Sequence, residues 1–270
     1  MATSLLILTD FFQASNRALD YATNLAGPLG ARLVLLHVRR DSIIDPEMFT
    51  GELSNLSKEA IALALSTVSG NLSVPVVAEV GHGRVASAVA DAVSRHHPAL
   101  IVLGRPDYTD TPDELVQTTA LDILRTTPYP MLVVPHGVAT VSPPRRVLLA
   151  VDGEPFTLGD YAGVARHLLT DLGAELTVLH VAKDASDADA VLDTVLRTGL
   201  TTDLQAVVRT RTVAAASPAI GILQAAAAAY FDLVVLIARQ RSFLGNLFHR
   251  SVTAHVLLHS SLPVLVLPAK

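Results

Sequence analysis

The chain has no cysteine and no tryptophan, and aromatic residues fill only 4% of its 270 positions. The missing thiols exclude disulfides, cysteinyl zinc sites, thiol nucleophiles and cysteine-ligated iron–sulfur clusters. They also suit a reducing compartment. Charge is sparse as well. Charged residues make up 17% against 50% hydrophobic, and 20 Lys plus Arg against 25 Asp plus Glu leave a net charge of −5. Such a chain has no bulk positive field for nonspecific nucleic-acid binding, so no nucleic-acid partner is expected. Its apolar content excludes wholesale disorder.

Long apolar runs are lacking too. Mean hydropathy is +0.44, yet Val147–Val151, Leu233–Ala238 and Val264–Leu267 are strand-sized. A spanning helix needs about 20 apolar residues, so no membrane partner is expected. The segment Met1–Asp10 carries no basic residue ahead of its apolar stretch and reads as a strand, not a signal peptide. The expected location is the cytoplasm. With aromatics scarce, the apolar mass is Val, Leu, Ile and Ala, which suits buried parallel strands flanked by helices.

What the sequence does have is a repeat. Leu29-Gly-Ala-Arg-Leu-Val-Leu-Leu-His-Val38 returns as Leu172-Gly-Ala-Glu-Leu-Thr-Val-Leu-His-Val181. Leu6–Asp10 matches Leu148–Asp152, Ala99–Leu103 matches Asp232–Leu236, and Pro130–Pro135 matches Pro263–Pro268. Four matches in one order indicate duplication. The join lies near Gly137–Pro144, where small residues and a proline pair make a linker. Two domains are expected, 1–138 and 145–270, each of ordinary domain size.

Strands and helices alternate within each half. In the first, a strand ends at Asp10, a helix covers Arg17–Leu25, and strand two is Arg32–Val38. Ser54–Val68 has helical spacing, and strand three is Val74–Val80. The Gly81-His-Gly83 turn opens a helix through Ser94, and strand four is Leu100–Leu103. A helix at Glu114–Arg125 precedes strand five, Met131–Val134. The second half repeats the strands at Val147–Val151, Leu176–Val181, Gln205–Arg209, Leu233–Ile237 and Val264–Leu267. The order implies βαβ units and an α/β, mainly parallel, doubly wound five-stranded sheet in each half, with helices on both faces.

Ligands of open α/β sheets bind beyond the carboxyl ends of the strands. Asp10 and Asp152 end strand one, and Val38 and Val181 end strand two. The aspartates either accept hydrogen bonds from a ligand or cap the structure that follows. His37 and His180, at strand ends, read as packed side chains. His255 and His259 share a helix face at i, i+4 and read as exposed helix residues, so no metal site is expected. Asp41–Leu53 mixes acids with apolar residues; it is a lid, a partner contact or a loop packing on itself. No nucleophile–base arrangement, Walker loop or His-Glu-x-x-His pair occurs, and no catalytic residue is expected.

The ordered set of blocks, present twice and covering nearly the whole chain, resembles two tandem universal stress protein domains of the UspA family. The resemblance implies flavodoxin-like, adenine nucleotide alpha hydrolase-like (Rossmann-like) domains and pairing through the fifth strands. Here that pairing would be internal and make a pseudo-dimer; a homodimer or an unidentified protein partner would come on top of it. The resemblance also implies ATP or AMP as ligand, held by a loop Gly-x2-Gly-x9-Gly-Ser/Thr after strand four. Glycines there let backbone N–H groups reach phosphate, and the Ser/Thr opens the next helix at its positive end.

Both loops depart from that form. The first has Gly104, Asp107, Gln117 and Thr118 at the four positions, with Asp110, Asp113 and Glu114 between. It reads as a degenerate site comprising Asp10, Val38, Gly104 and Thr118. The second has Ile237, Gln240, Arg250 and Ser251, with Arg239, Arg241 and His249 nearby. Its candidate nucleotide site is Asp152, Val181, Arg239, Arg241, Arg250, Ser251 and Val252, in which side chains replace backbone amides as anion ligands. The alternative is a solvated basic loop or an ion-pairing surface.

Overall fold

The computed structural model describes residues 3–39, 58–107, 119–182, 188–202, 204–205, 207–239 and 251–270. The 41–53 segment and the helix starts expected at 54–57 and 114–118 lie outside them. The first half runs β1 (Ser4–Leu8), α1 (Gln13–Ala26), β2 (Arg32–Arg39), α2 (Lys58–Gly70), β3 (Val76–His82), α3 (Val85–His96), β4 (Leu100–Arg105), α4 (Thr119–Thr126) and β5 (Met131–Pro135). The second runs β6 (Arg146–Val151), α5 (Tyr161–Asp171), β7 (Glu175–Ala182), α6 (Ala188–Leu196), β8 (Val208–Ala214), α7 (Pro218–Ala225), β9 (Leu233–Arg239), α8 (Val252–His259) and β10 (Val264–Ala269).

All ten strands form one sheet in the order β3-β2-β1-β4-β5-β10-β9-β6-β7-β8. Pairing is parallel within each half. The halves meet where β5 and β10 run antiparallel, with Val133 opposite Val264 and Met131 opposite Val266. Successive side chains of a strand point to opposite faces, and a sheet covered on both sides needs both sets apolar. Leu5 and Ile7 pack toward α1, against Ala18, Ala22 and Leu25. Leu6 packs on the other face with Val89 and Ala92 of α3. The α1 stripe Ala18, Leu19, Ala22, Leu25 and Ala26 has the helical spacing that buries one face. Full burial of one leucine contributes about 1.5–3 kcal/mol.

Two expectations shift at the sheet margins. The eighth strand is Val208–Ala214, not Gln205–Arg209. As an outermost strand it exposes Arg209, Thr210, Arg211 and Thr212, so no apolar alternation marks it. Pairing with β7 sets its register instead, with an Arg209–Glu175 ion pair of 3.2 Å. In the first half Gly81 and His82 belong to β3. A Cβ on Gly81 would lie 2.9 Å from the Ala88 Cβ, so this glycine serves the close approach of β3 to α3. The turn falls at Gly83, with φ of 83°.

Two polar clusters tie the chain across long sequence distances. The Arg105 guanidinium donates to the carbonyls of Leu258 and Ser260, at the negative end of α8. Asp232, just before β9, accepts from the backbone N–H groups of Arg145 (3.1 Å) and Arg146 (2.9 Å) and from the Arg146 guanidinium (2.5 Å). Burial pushes the Asp232 carboxyl up, but the Arg146 side chain and the two backbone donors outweigh it and hold the carboxyl below its ordinary range. A carboxyl depressed in the folded state stabilises fully above its unfolded value, about 3.9. That stability is lost as pH falls through the folded value. Asp232→Asn is therefore expected to lower the urea midpoint at pH 7. It should also make the loss of stability below about pH 4 shallower than in the parent chain.

Candidate functional site

In each half the connections of the two central strands leave to opposite faces. The loops after β1 and β4, and after β6 and β9, therefore frame the crevice where a doubly wound sheet binds ligands. In the first half the loop after β1 is held from within. Asp10 is exposed and its Oδ1 accepts from the Phe12 N–H at 2.9 Å, closing its own turn. Phe11 donates its N–H to Thr9 Oγ1 at 3.1 Å and adopts a left-handed φ of 67°. For a bulky side chain that backbone costs about 1–2 kcal/mol. Its ring stacks on His37, with centroids 4.9 Å apart and planes at 30°. His37 is buried and its Nδ1 lies 2.9 Å from the Thr9 carbonyl oxygen. Val38 follows, half-buried. On β4, a Cβ at Gly104 would lie 2.2 Å from the Ala14 carbonyl oxygen. This glycine lets the first turn of α1 rest directly on the strand. Thr118 lies outside the described residues.

The second half repeats the anchor and changes what surrounds it. His180 Nδ1 lies 3.1 Å from the Val151 carbonyl oxygen, and Asp152 Oδ1 accepts from the Glu154 N–H at 3.1 Å. The residue after Asp152 is Gly153, left-handed at φ 80°. A Cβ there would stand 3.3 Å from the His180 ring carbon Cε1. Val181 is half-buried and α7 closes on it: a Cβ on Gly221 would lie 2.6 Å from Val181 Cγ1.

Arg239, at the end of β9, crosses the mouth of this crevice. Its Nε donates to Asp152 Oδ2 at 2.9 Å and its Nη2 to Asp152 Oδ1 at 2.8 Å. The same guanidinium donates to the carbonyls of Glu154 and Pro155, at 2.8 and 2.9 Å. Its side chain is only 13% exposed, against 50% for Asp152. The bond to Asp152 raises the guanidinium's already high pKa, against the opposing effect of burial. Bidentate pairing of this kind is the strong form of a charged hydrogen bond. Ser251 caps α8, its Oγ accepting from the Ala254 N–H at 3.0 Å, and Val252 is 37% exposed. Arg241 and Arg250 lie outside the described residues.

The two predicted groups Asp152 and Arg239 thus meet, but they meet each other. A phosphate at Arg239 competes with a carboxylate and two carbonyls, and Ile237 stands where a phosphate loop has glycine. These residues do not fit a triphosphate cradle. Beside them, Gly153 packs closely on the His180 ring, and a Cβ there would also stand 3.6 Å from Val191 Cγ2. Phe11, Gly153 and the carbonyls of Glu154 and Pro155 are site residues that residue-by-residue reading of the sequence passes over. The signal that finds Phe11 and Gly153 is the contrast of Asp10-Phe11 with Asp152-Gly153 in aligned halves.

Arg239→Ala is expected to cost about 1–2 kcal/mol in urea unfolding, the lower range because Asp152 is half exposed. Gly104→Ala is expected to cost about 3 kcal/mol or more, since the new methyl meets backbone that cannot turn aside; thermal unfolding measures it.

The universal stress protein family model matches residues 1–135 and again 144–268. Among solved structures, a universal stress protein from Archaeoglobus fulgidus is 18% identical over 98% of both chains, with a TM-score of 0.73. A functionally unknown protein from Pseudomonas aeruginosa is 17% identical over 99% of this chain and 92% of its own, at 0.62. The cytoplasmic domain of a prokaryotic cation chloride cotransporter is 10% identical over 100% and 95%, at 0.57. At these identities the likeness is one of fold. No curated protein sequence matches the chain. Two family matches in tandem, covering nearly every residue of a sheet with the same fold, make this chain a member of the universal stress protein family.

Proposed function

We propose that the chain is a cytoplasmic binding and regulatory module of the stress response, not an enzyme. Its units, 1–138 and 145–270, act as an intramolecular pseudo-dimer joined through β5 and β10, and it works by engaging a protein partner. The observation that carries this reading is the commitment of Arg239. The one described cation at the second crevice spends four hydrogen bonds on the protein's own acceptors. No described group in either crevice forms a nucleophile–base pair, and the degenerate loops lack the glycines that cradle a triphosphate.

A second reading is AMP or ATP binding at the second half with slow or no hydrolysis. Gly153 favours it, since at φ 80° it carries the loop after β6 past the His180 ring without a side chain of its own. Titration calorimetry separates the two. The second reading expects heat with AMP at one site per chain and no tighter binding of ATP. It also expects Arg241→Ala and Ser251→Ala to weaken that binding. Absence of heat with ATP, ADP and AMP leaves the first reading alone, and rapid multiple-turnover phosphate release from ATP overturns both.

A further inference from the structure

The helix after the first strand starts at once in the first half and late in the second. α1 begins at Gln13, soon after Asp10, whereas α5 begins only at Tyr161, well past Asp152. The reason lies on the neighbouring strand. The backbone of Ala14 rests on β4 because Gly104 has no side chain there. The matching position of β9 is Ile237, which packs against the same core cluster as Phe156. A helix laid as low as α1 would meet that side chain. The chain therefore runs open over 153–160 before α5 begins.

An open segment must place its backbone polar groups outside a helix. Here the ends of two adjacent strands take them. Arg239, at the end of β9, donates to the carbonyls of Glu154 and Pro155 at 2.8 and 2.9 Å. Beside it, Lys270 follows Ala269 of β10, the residue in register with Arg239. Lys270 exchanges two backbone bonds with Thr157, at 3.2 and 3.0 Å. Half-buried Phe156 and buried Leu158 are the apolar anchors of the segment. Each end carries a left-handed glycine, Gly153 at φ 80° and Gly159 at φ 53°. A Cβ on Gly159 would meet nothing within 4 Å, so the backbone conformation and not packing calls for glycine there.

We infer that segment 153–159 is a two-hinged strap that closes the second crevice from within the chain and opens as one piece when its Arg239 end is released. Closed, it lays Gly153 on the His180 ring and draws Arg239 across the mouth of the crevice. The stretch between the hinges is short and contains Pro155, which stiffens it, so release at one end is transmitted to the other. The first half has no such strap, because α1 starts directly on Gly104. The inference rests on neither reading of what the crevice binds.

Hydrogen exchange of the full chain, read by mass spectrometry with no ligand added, tests it. In Arg239→Ala the amides of Thr157 and Lys270, at the far end of the strap, are expected to exchange about tenfold faster together with that of Glu154. The amides of β6 and of the later turns of α5 keep their parent rates. Asp152→Asn, which keeps the shape of the latch and removes its charge, is the second variant should alanine loosen the domain; it is expected to speed the same amides less. Labelling with diethyl pyrocarbonate reads the crevice. His180 is expected to react several-fold more in the variants, and His37, beneath Phe11, as in the parent. Faster exchange at Glu154 alone, with Thr157 and Lys270 at parent rates, overturns the single strap. Equal acceleration across β6 and α5 in both variants overturns it too, since the whole half then opens. A loosened strap with unchanged His180 labelling overturns the closing role. No ligand enters the experiment, so its failure is distinct from the failure of either functional reading.

Discussion

Three antiparallel register pairs, Val264 with Val133, Leu265 with Leu132 and Val266 with Met131, hold the two halves in one sheet. Every residue of β5 and of β10 is buried. Split at this seam, each half would present a fully apolar, unpaired strand, the template on which sheets aggregate. The seam therefore decides where apolar residues are affordable. Outward from it the strands become wetter. At the two free margins, β3 exposes Val77, Ala78, Val80 and His82, and β8 exposes Arg209 and Arg211. Charges on a margin discourage further strand addition. The Arg105 contacts to Leu258 and Ser260 carry the same union beyond the sheet, because a cation of the first half satisfies carbonyls that the end of α8 leaves without helical partners.

On this shared frame the two crevices reach different ends by small changes. Both keep a histidine whose Nδ1 meets the backbone carbonyl two residues before the left-handed turn residue. Both keep an aspartate whose Oδ1 closes its own turn. The differences lie in what is laid over that base. The first half adds Phe11 over the histidine and settles α1 onto Gly104. The second has Gly153 and draws Arg239 across Asp152. The net charge of −5 conceals this, since the structural contrast is between an aromatic cover and an ionic strap and not between totals of charge.

Much of the fold is legible in the sequence because its strong signals come from burial. Leu33–Leu36 and Leu100–Leu103 are continuous apolar runs because both faces of their strands are covered, and the repeat doubles each signal. β8 escapes for the opposite reason: Arg-Thr-Arg-Thr is held by backbone pairing to β7 and buries almost nothing. The site is less legible. Asp152 and Arg239 are visible as charged residues at strand ends, but nothing in their spacing says that they bond to each other. That pairing follows from two neighbouring parallel strands ending at the same level, 87 residues apart. Phe11 is harder still. A phenylalanine in an apolar chain reads as core, and it takes the left-handed backbone, beside the contrast with Asp152-Gly153, to show that it holds a conformation suited to glycine.

That substitution also explains what a single chain gains over two identical ones. In a symmetric dimer, the same residue stands in both crevices, so a ring laid over one histidine is laid over both. Covalent fusion removes this constraint. The seam keeps the halves paired at high effective concentration without requiring them to be equal. Phe11 can then cover His37 in one half while Gly153 stands beside His180 in the other. Duplication by itself would only double a site; divergence at position 11 against position 153 makes the doubled sheet asymmetric.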